Sequence, residues 1–360
     1  HGRRANYPAG DQARHAVQAA TYSAAMLAAS PYAWTAGATA QRRRIDGGGT
    51  SDEWNLLLER TIRIGGKAGL DRDLGDVGLQ HAKAQLGAAR NESARQLLDL
   101  WLDWLTARQA KELLAEQVKF AETNAGAVDK RRKAGDASLL DLNVAKGDLA
   151  EVQRQANTAA ATEAKAQATL RVRFPQLPLE ARPLSEPVLL ERDEAQWRTL
   201  IKDSSDMLQA AQLALKKAEL TAARARADRM PDPTVGVFTA SEGAGTERIV
   251  GLSLSIPLGG TYRNQSAKEA LQQVEVTRAG MEKQIRDLDV QIATLVSDAT
   301  SNFASWQSAE QSAAAARDSA RLTQRAFSLG EADLQALILV RRQSLDAANA
   351  AVAARADALR

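Results

Sequence analysis

The sequence predicts a mainly α-helical chain with a small β part, built as two tandem repeats of helix, β-hairpin, very long helix, glycine turn and helix. Three observations carry this. Two glycine-centred turns recur 195 residues apart, with Gly135, Ala137 and Leu139 matched by Gly330, Ala332 and Leu334, and Asp136 by Glu331. Two glycine pairs that close strand-like segments, Gly65-Gly66 and Gly259-Gly260, recur at 194 residues. Two stretches, about 67–133 and 262–329, hold no proline and read with a helical period.

The first repeat spans 1–174. Its first helix is expected from about Asp11 to Pro31, where proline disfavours helical geometry before it. Strands follow at about 32–44 and 53–64, separated by the turn-former Asp46-Gly47-Gly48-Gly49-Thr50. In the second strand Trp54, Leu56, Leu58, Ile62 and Ile64 share a face, interrupted by Arg60. Asn55, Glu59, Thr61 and Arg63 share the other, with Leu57 as its one apolar member. A helix over 67–133 would run about 100 Å at 1.5 Å per residue. No compact domain holds such a helix, so a coiled-coil or tubular array is expected. Its clearest apolar stripe, Leu97, Leu100, Trp101, Trp104 and Leu105, reads as helix packing.

A proline-rich linker at 175–189 leads to the second repeat, 190–360. Its first helix is expected over about 193–229, ended by Met230-Pro231-Asp232-Pro233. Strands are expected at about 234–241 and 247–258. Val250, Leu252, Leu254, Ile256 and Leu258 fall on one face, and Gly251, Ser253 and Ser255 on the other. A long helix over about 262–329 precedes the second glycine turn. The opening helix of the first repeat is about half its counterpart, which reads as a shortened start.

The bulk properties exclude several classes. Charged residues make up 25% and the net charge is only +3, with both signs interleaved, so no nucleic-acid surface is expected. There is no cysteine, hence no disulfide or thiolate chemistry. No run of 18 apolar residues and no signal-peptide pattern occur, so no membrane-spanning helix is predicted. His1, His15 and His81, and Met26, Met207, Met230 and Met281, lie far apart in sequence, so no metal site is expected. No nucleophile–base pair, phosphate loop or cofactor motif stands out, so no catalytic residue and no cofactor are expected.

Four strands cannot close a barrel, and a membrane barrel leaves no open edge. Two chains would give eight strands around a lumen that side chains fill, and three would give twelve with room for a channel.

The duplicated order resembles the TolC family of outer-membrane factors over nearly the whole chain. The motifs are Pro31 and Pro231 before each first strand, the strand endings Ile62-Arg63-Ile64-Gly65-Gly66-Lys67 and Ile256-Pro257-Leu258-Gly259-Gly260, and the two glycine turns. The first of these endings is similar to the CzcC/CusC-like heavy-metal efflux branch. The resemblance implies a homotrimer with a twelve-stranded β-barrel in outer-membrane lipid and a twelve-helix tunnel in the periplasm. Its partners would be a periplasmic adaptor (membrane fusion protein) and an inner-membrane RND pump. Gly135 and Gly330 would form the periplasmic tip. Some relatives carry two carboxylates six and nine residues after the second tip glycine; Ala336 and Leu339 stand there, so that gate is expected to be absent. Asp136, Asp141, Glu331 and Asp333 are the candidate gate or tip carboxylates. Each would form a threefold ring able to attract cations, against the plainer reading of helix-start acids favoured by the dipole. The metal branch often begins with a lipid-modified cysteine, and none is present here.

Three alternatives stand beside a heavy-metal duct. A duct for drug efflux or type I secretion is the nearest of these, because in the family substrate choice lies mainly in the pump. A soluble helical scaffold accounts for the helices but not the duplicated alternating strands. An adaptor would show one helical hairpin flanked by small domains, not two equal halves.

Overall fold

The computed structural model describes residues 8–44, 46–180 and 182–360; His1 and the rest of 1–7 in the first repeat lie outside the described residues. The elements run α1 (Pro8–Ala28), β1 (Thr35–Arg44), β2 (Thr50–Thr61), α2 (Lys67–Lys133), α3 (Leu139–Arg173), α4 (Glu194–Ser204) and α5 (Asp206–Ala227). They continue with β3 (Thr234–Glu242), β4 (Glu247–Ser255), α6 (Thr261–Leu329) and α7 (Leu334–Leu359).

Two compact units emerge. One draws on Asn91–Ile201 and Asp289–Arg360, the other on Ala9–Arg90 and Lys202–Leu288. Each takes chain from both sequence repeats, so the linker at 175–189 does not divide the compact units.

The second unit holds the sheet. Its strands form one antiparallel meander in the order β1-β2-β3-β4. The central pair joins the repeats, from Trp54 opposite Ser241 to Thr61 opposite Thr234. The first unit is helical and holds two apolar clusters. In one, Leu102, Trp104 and Leu105 of α2 meet Leu170, Phe174, Leu184 and Ala356. Trp104 is almost fully buried, and its indole N–H donates to Glu163 Oε1 at 3.0 Å, satisfying the ring's one polar atom. In the other, Ala125, Val128, Leu142, Ala145, Leu334 and Ile338 pack beside the glycine turns. There Arg342 meets the buried Asp148 at 2.8 Å.

Several boundaries differ from the sequence reading; β2, for one, begins at Thr50 rather than about 53. The helix expected over 193–229 is two helices, because Ser205 leaves helical geometry and its Oγ accepts from Leu208 N at 3.2 Å. The run Asp203-Ser204-Ser205-Asp206 favours a cap over helix continuation there. β1 starts at Thr35, past the irregular residues after Pro31. β2 stops at Thr61 because Pro233 opposite has no N–H to extend the ladder; the Ile62 amide donates to Pro233 O instead. β4 stops at Ser255, two residues before Pro257.

Candidate functional site

Directly opposed residues of an antiparallel sheet share a face. Register therefore aligns Leu56, Thr239 and Val250 in one row, Leu58, Val237 and Leu252 in the next, and Arg60, Val235 and Leu254 in a third. Ala36, Ala38 and Ala40 extend this face onto β1. The face is open: Val250 and Leu252 are each 84% exposed, and Trp54, Leu56 and Leu58 are exposed as well. An apolar surface of this extent marks a surface meant to be covered. Charge brackets it. At the hairpin-turn end Arg42 pairs with Asp52 at 2.6 Å, and at the other end stands Arg60.

The opposite face is more polar, with Leu57, Phe238, Ala240 and Ile249 as its apolar members. It carries Gln41 and Arg43 of β1, Glu53, Asn55 and Glu59 of β2, and Ser253 of β4. Glu53 is buried, accepting from Gln41 Nε2 at 2.9 Å and pairing with Arg43 at 3.2 Å. The turn Gly243–Gly245 folds onto this end, where Ala244 N donates to Ser51 Oγ at 2.7 Å. Phe238 lies across Gly251, where an added Cβ would sit 2.5 Å from the ring. The outer edges of β1 and β4 have no strand partner among the described residues.

Where strands meet helices, a buried charge network forms. Lys67, the first residue of α2, has a fully buried side chain. Its ammonium donates to Met230 O at 2.7 Å and Asp232 Oδ1 at 2.8 Å, with Asp228 at 3.4 Å. Asp232 also accepts from the Ile64 amide and from Tyr32 OH, each at 3.0 Å. Burial pushes the Asp232 carboxyl up, but the bonds from Lys67, Ile64 and Tyr32 outweigh it and hold the group below the usual range. A second pair of cations flanks it: Arg63 and Arg224 both grip Asp71, at 2.8 and 2.6 Å, and Arg224 also pairs with Asp228.

The glycine turns are alike in backbone. Gly135 and Gly330 have φ of +90° and +81°, the left-handed region glycine enters freely. In each, the glycine amide bonds three residues back and the next amide five back: Gly135 to Arg132 and Asp136 to Arg131, Gly330 to Phe327 and Glu331 to Ala326. This double bond pattern is the Schellman motif. They differ in the following cap. Ser138 opens α3 with a reciprocal capping box, its Oγ accepting from Asp141 N and Asp141 accepting from Ser138 N. Asp333 opens α7 alone, accepting from Ala336 N at 2.7 Å.

Neither a protein-family model nor a curated protein matches the chain. Solved structures match its fold. The CmeC outer membrane channel of Campylobacter jejuni is similar at TM-score 0.81 and 14% identity, over 98% of this chain and 81% of that one. CusC is similar at TM-score 0.79 and 14% identity, over 98% and 87%. The outer membrane protein VceC of Vibrio cholerae is similar at TM-score 0.77 and 17% identity, over 98% and 90%. This chain has the TolC-like outer-membrane-channel fold.

Within this TolC-like fold the residues singled out from sequence separate into groups. Trp54, Leu56, Leu58, Val250, Leu252 and Leu254 come together on the open apolar face. Ile62, Ile64, Ile256 and Leu258 lie beyond the strand ends, the first and last two exposed and Ile64 half-buried. Asp141 and Asp333 are helix caps; hydrogen bonds from Ser138 hold the Asp141 carboxyl below the usual carboxylate range. Asp136 and Glu331 are exposed, and their amides complete the turns. Histidine and methionine are less dispersed than their sequence spacing suggests: His81, Met207 and Met281 line one groove of about 470 Å³. Among the described residues no three His, Asp or Glu are placed to hold a metal.

Sequence reasoning missed the charge network of the TolC-like joint. Its signal was present as charged residues where a strand ending needs none, Arg63 and Lys67 around Gly65-Gly66 and Asp232 between Pro231 and Pro233.

Proposed function

We propose that this chain is a subunit of an outer-membrane channel, a homotrimer in which three four-stranded sheets close one twelve-stranded barrel. The open sheet carries the reading: one face apolar and exposed, the other richer in polar and charged residues, with both outer edges unpartnered among the described residues. In lipid those edges need strands from other copies. The apolar face meets lipid, the polar face lines water, and the helices extend into the periplasm. Two assays test this on the full chain: its mass in detergent, and its flotation with lipid vesicles. Three copies per particle that float with the vesicles support the reading; a monomer that stays in the aqueous fraction refutes it.

The tips bearing Gly135 and Gly330 then face a periplasmic adaptor, with an inner-membrane RND pump supplying the energy. Asp136 and Glu331 are the tip carboxylates left free of capping, and they form threefold acidic rings in the trimer. Heavy-metal cations are the proposed substrate, supported by the ending Ile62-Arg63-Ile64-Gly65-Gly66-Lys67. A strain lacking the chain should lose tolerance to heavy-metal cations. Sensitivity to organic drugs alone, or lost protein secretion, would place the channel in a drug-efflux or type I secretion system instead.

A further inference from the structure

Arg60 sits within the apolar rows of the open face, level with Val235 and Leu254, while Arg248, level with Trp54, and the Arg42–Asp52 pair stand toward the opposite end. Its Nε donates to Tyr32 O at 3.2 Å, and its guanidinium lies 5.6 Å from the ring centre of Trp34, itself 62% exposed. No carboxylate pairs with it among the described residues, unlike Arg42 at the other end of the face, which holds Asp52. The two charge levels, Asp52 and Arg60, are eight residues apart along β2. At about 3.4 Å per residue that is about 27 Å of strand, and a barrel tilt shortens it to about 20 Å, close to the apolar band of an outer-membrane barrel.

An arginine is costly at the centre of a bilayer and nearly free at its interface, where tryptophan also settles. The Arg60 fork has terminal N–H groups unclaimed by a carboxylate, and phosphate oxygens match that fork. Below it, Val235, Val237, Leu252 and Leu254 offer an exposed apolar track. We infer that Arg60 and Trp34 form a binding site for the phosphate of an anionic glycerophospholipid at the periplasmic boundary of the membrane, with an acyl chain lying along Val237 and Leu252. This rests on the outer-membrane reading above.

The test is native mass spectrometry of the full chain after incubation with equimolar phosphatidylglycerol and phosphatidylcholine. The wild-type chain should retain phosphatidylglycerol preferentially. R60Q should retain about fivefold less, R60K an intermediate amount, and inorganic phosphate should not displace the lipid. R42Q, altered at the opposite level, should match wild type. Equal retention by R60Q and wild type, in a chain that floats with vesicles, overturns this inference and leaves the channel reading standing. A wild-type chain that does not float overturns both.

Discussion

The charged joint beneath the sheet and the two glycine turns both redirect the chain at an end of a very long helix, and they do it by opposite means. The joint relies on partners remote in sequence: Lys67 and Asp232 are 165 residues apart, and both are buried. The turns rely on bonds spanning five residues or fewer, and their polar groups face solvent. A joint that must fix strands against helices gains orientation from fully partnered buried ions, which tolerate no loss of one member. A turn that only reverses direction is specified locally and tolerates change by degrees.

The sharpest way to break this contrast is Lys67→Met. It leaves Asp232 buried without its cation and should cost about 3–5 kcal/mol, read from chemical denaturation of the full chain. Adding Asp232→Asn should recover part of that loss, as a double-mutant cycle detects; strictly additive losses would mean the pair is not coupled. At the turns, Gly135→Ala and Gly330→Ala should each cost about 1–2 kcal/mol. Nothing lies within 4 Å of either added Cβ, so the whole cost is backbone conformation and the two losses should match. Ser138→Ala should cost about 1 kcal/mol through the lost cap.

The smallest effect is electrostatic and belongs to Asp141. Its folded carboxyl lies below the ordinary value of 3.8, chiefly through the Ser138 side-chain hydrogen bond. A depressed acid stabilises above its unfolded value, and that stabilisation is lost as pH falls through the folded value. Thermal midpoints of wild type and Asp141→Asn should therefore differ at neutral pH and converge in acid below 3.8. A gap that persists in strong acid would show that the carboxylate charge is not what the cap uses.

What was legible in the sequence follows the same division. The alternation of β2 and β4 and the left-handed glycines at 135 and 330 are local patterns, and each produced the element its period or conformation requires. The ladder ends at Thr61 and Ser255 were overrun because apolar alternation continues through Ile62, Ile64 and Ile256 after proline has removed the donors. The charges of the joint were visible at the strand endings, but their pairing was not, because no pattern along the chain says which of many charges will meet. Lys67 reads as an ordinary helix-start residue until Asp232 is placed beside it. The capping roles of Asp141 and Asp333 were readable from Ser138 and from their position after the turns, but a pore-gate reading competed for the same residues.

The pairing of β2 with β3 carries a consequence for how the molecule is made. The first hairpin is complete at Thr61, yet its inner edge is satisfied only by residues from Thr234 onward. At roughly 5–20 residues per second of synthesis, that partner arrives on the order of ten seconds or more later. Until then a bare ladder of amides and carbonyls is open to any passing strand. Such non-local closure is also intrinsically slow. The chain therefore has a long vulnerable interval in which delay or a holding protein protects it better than speed.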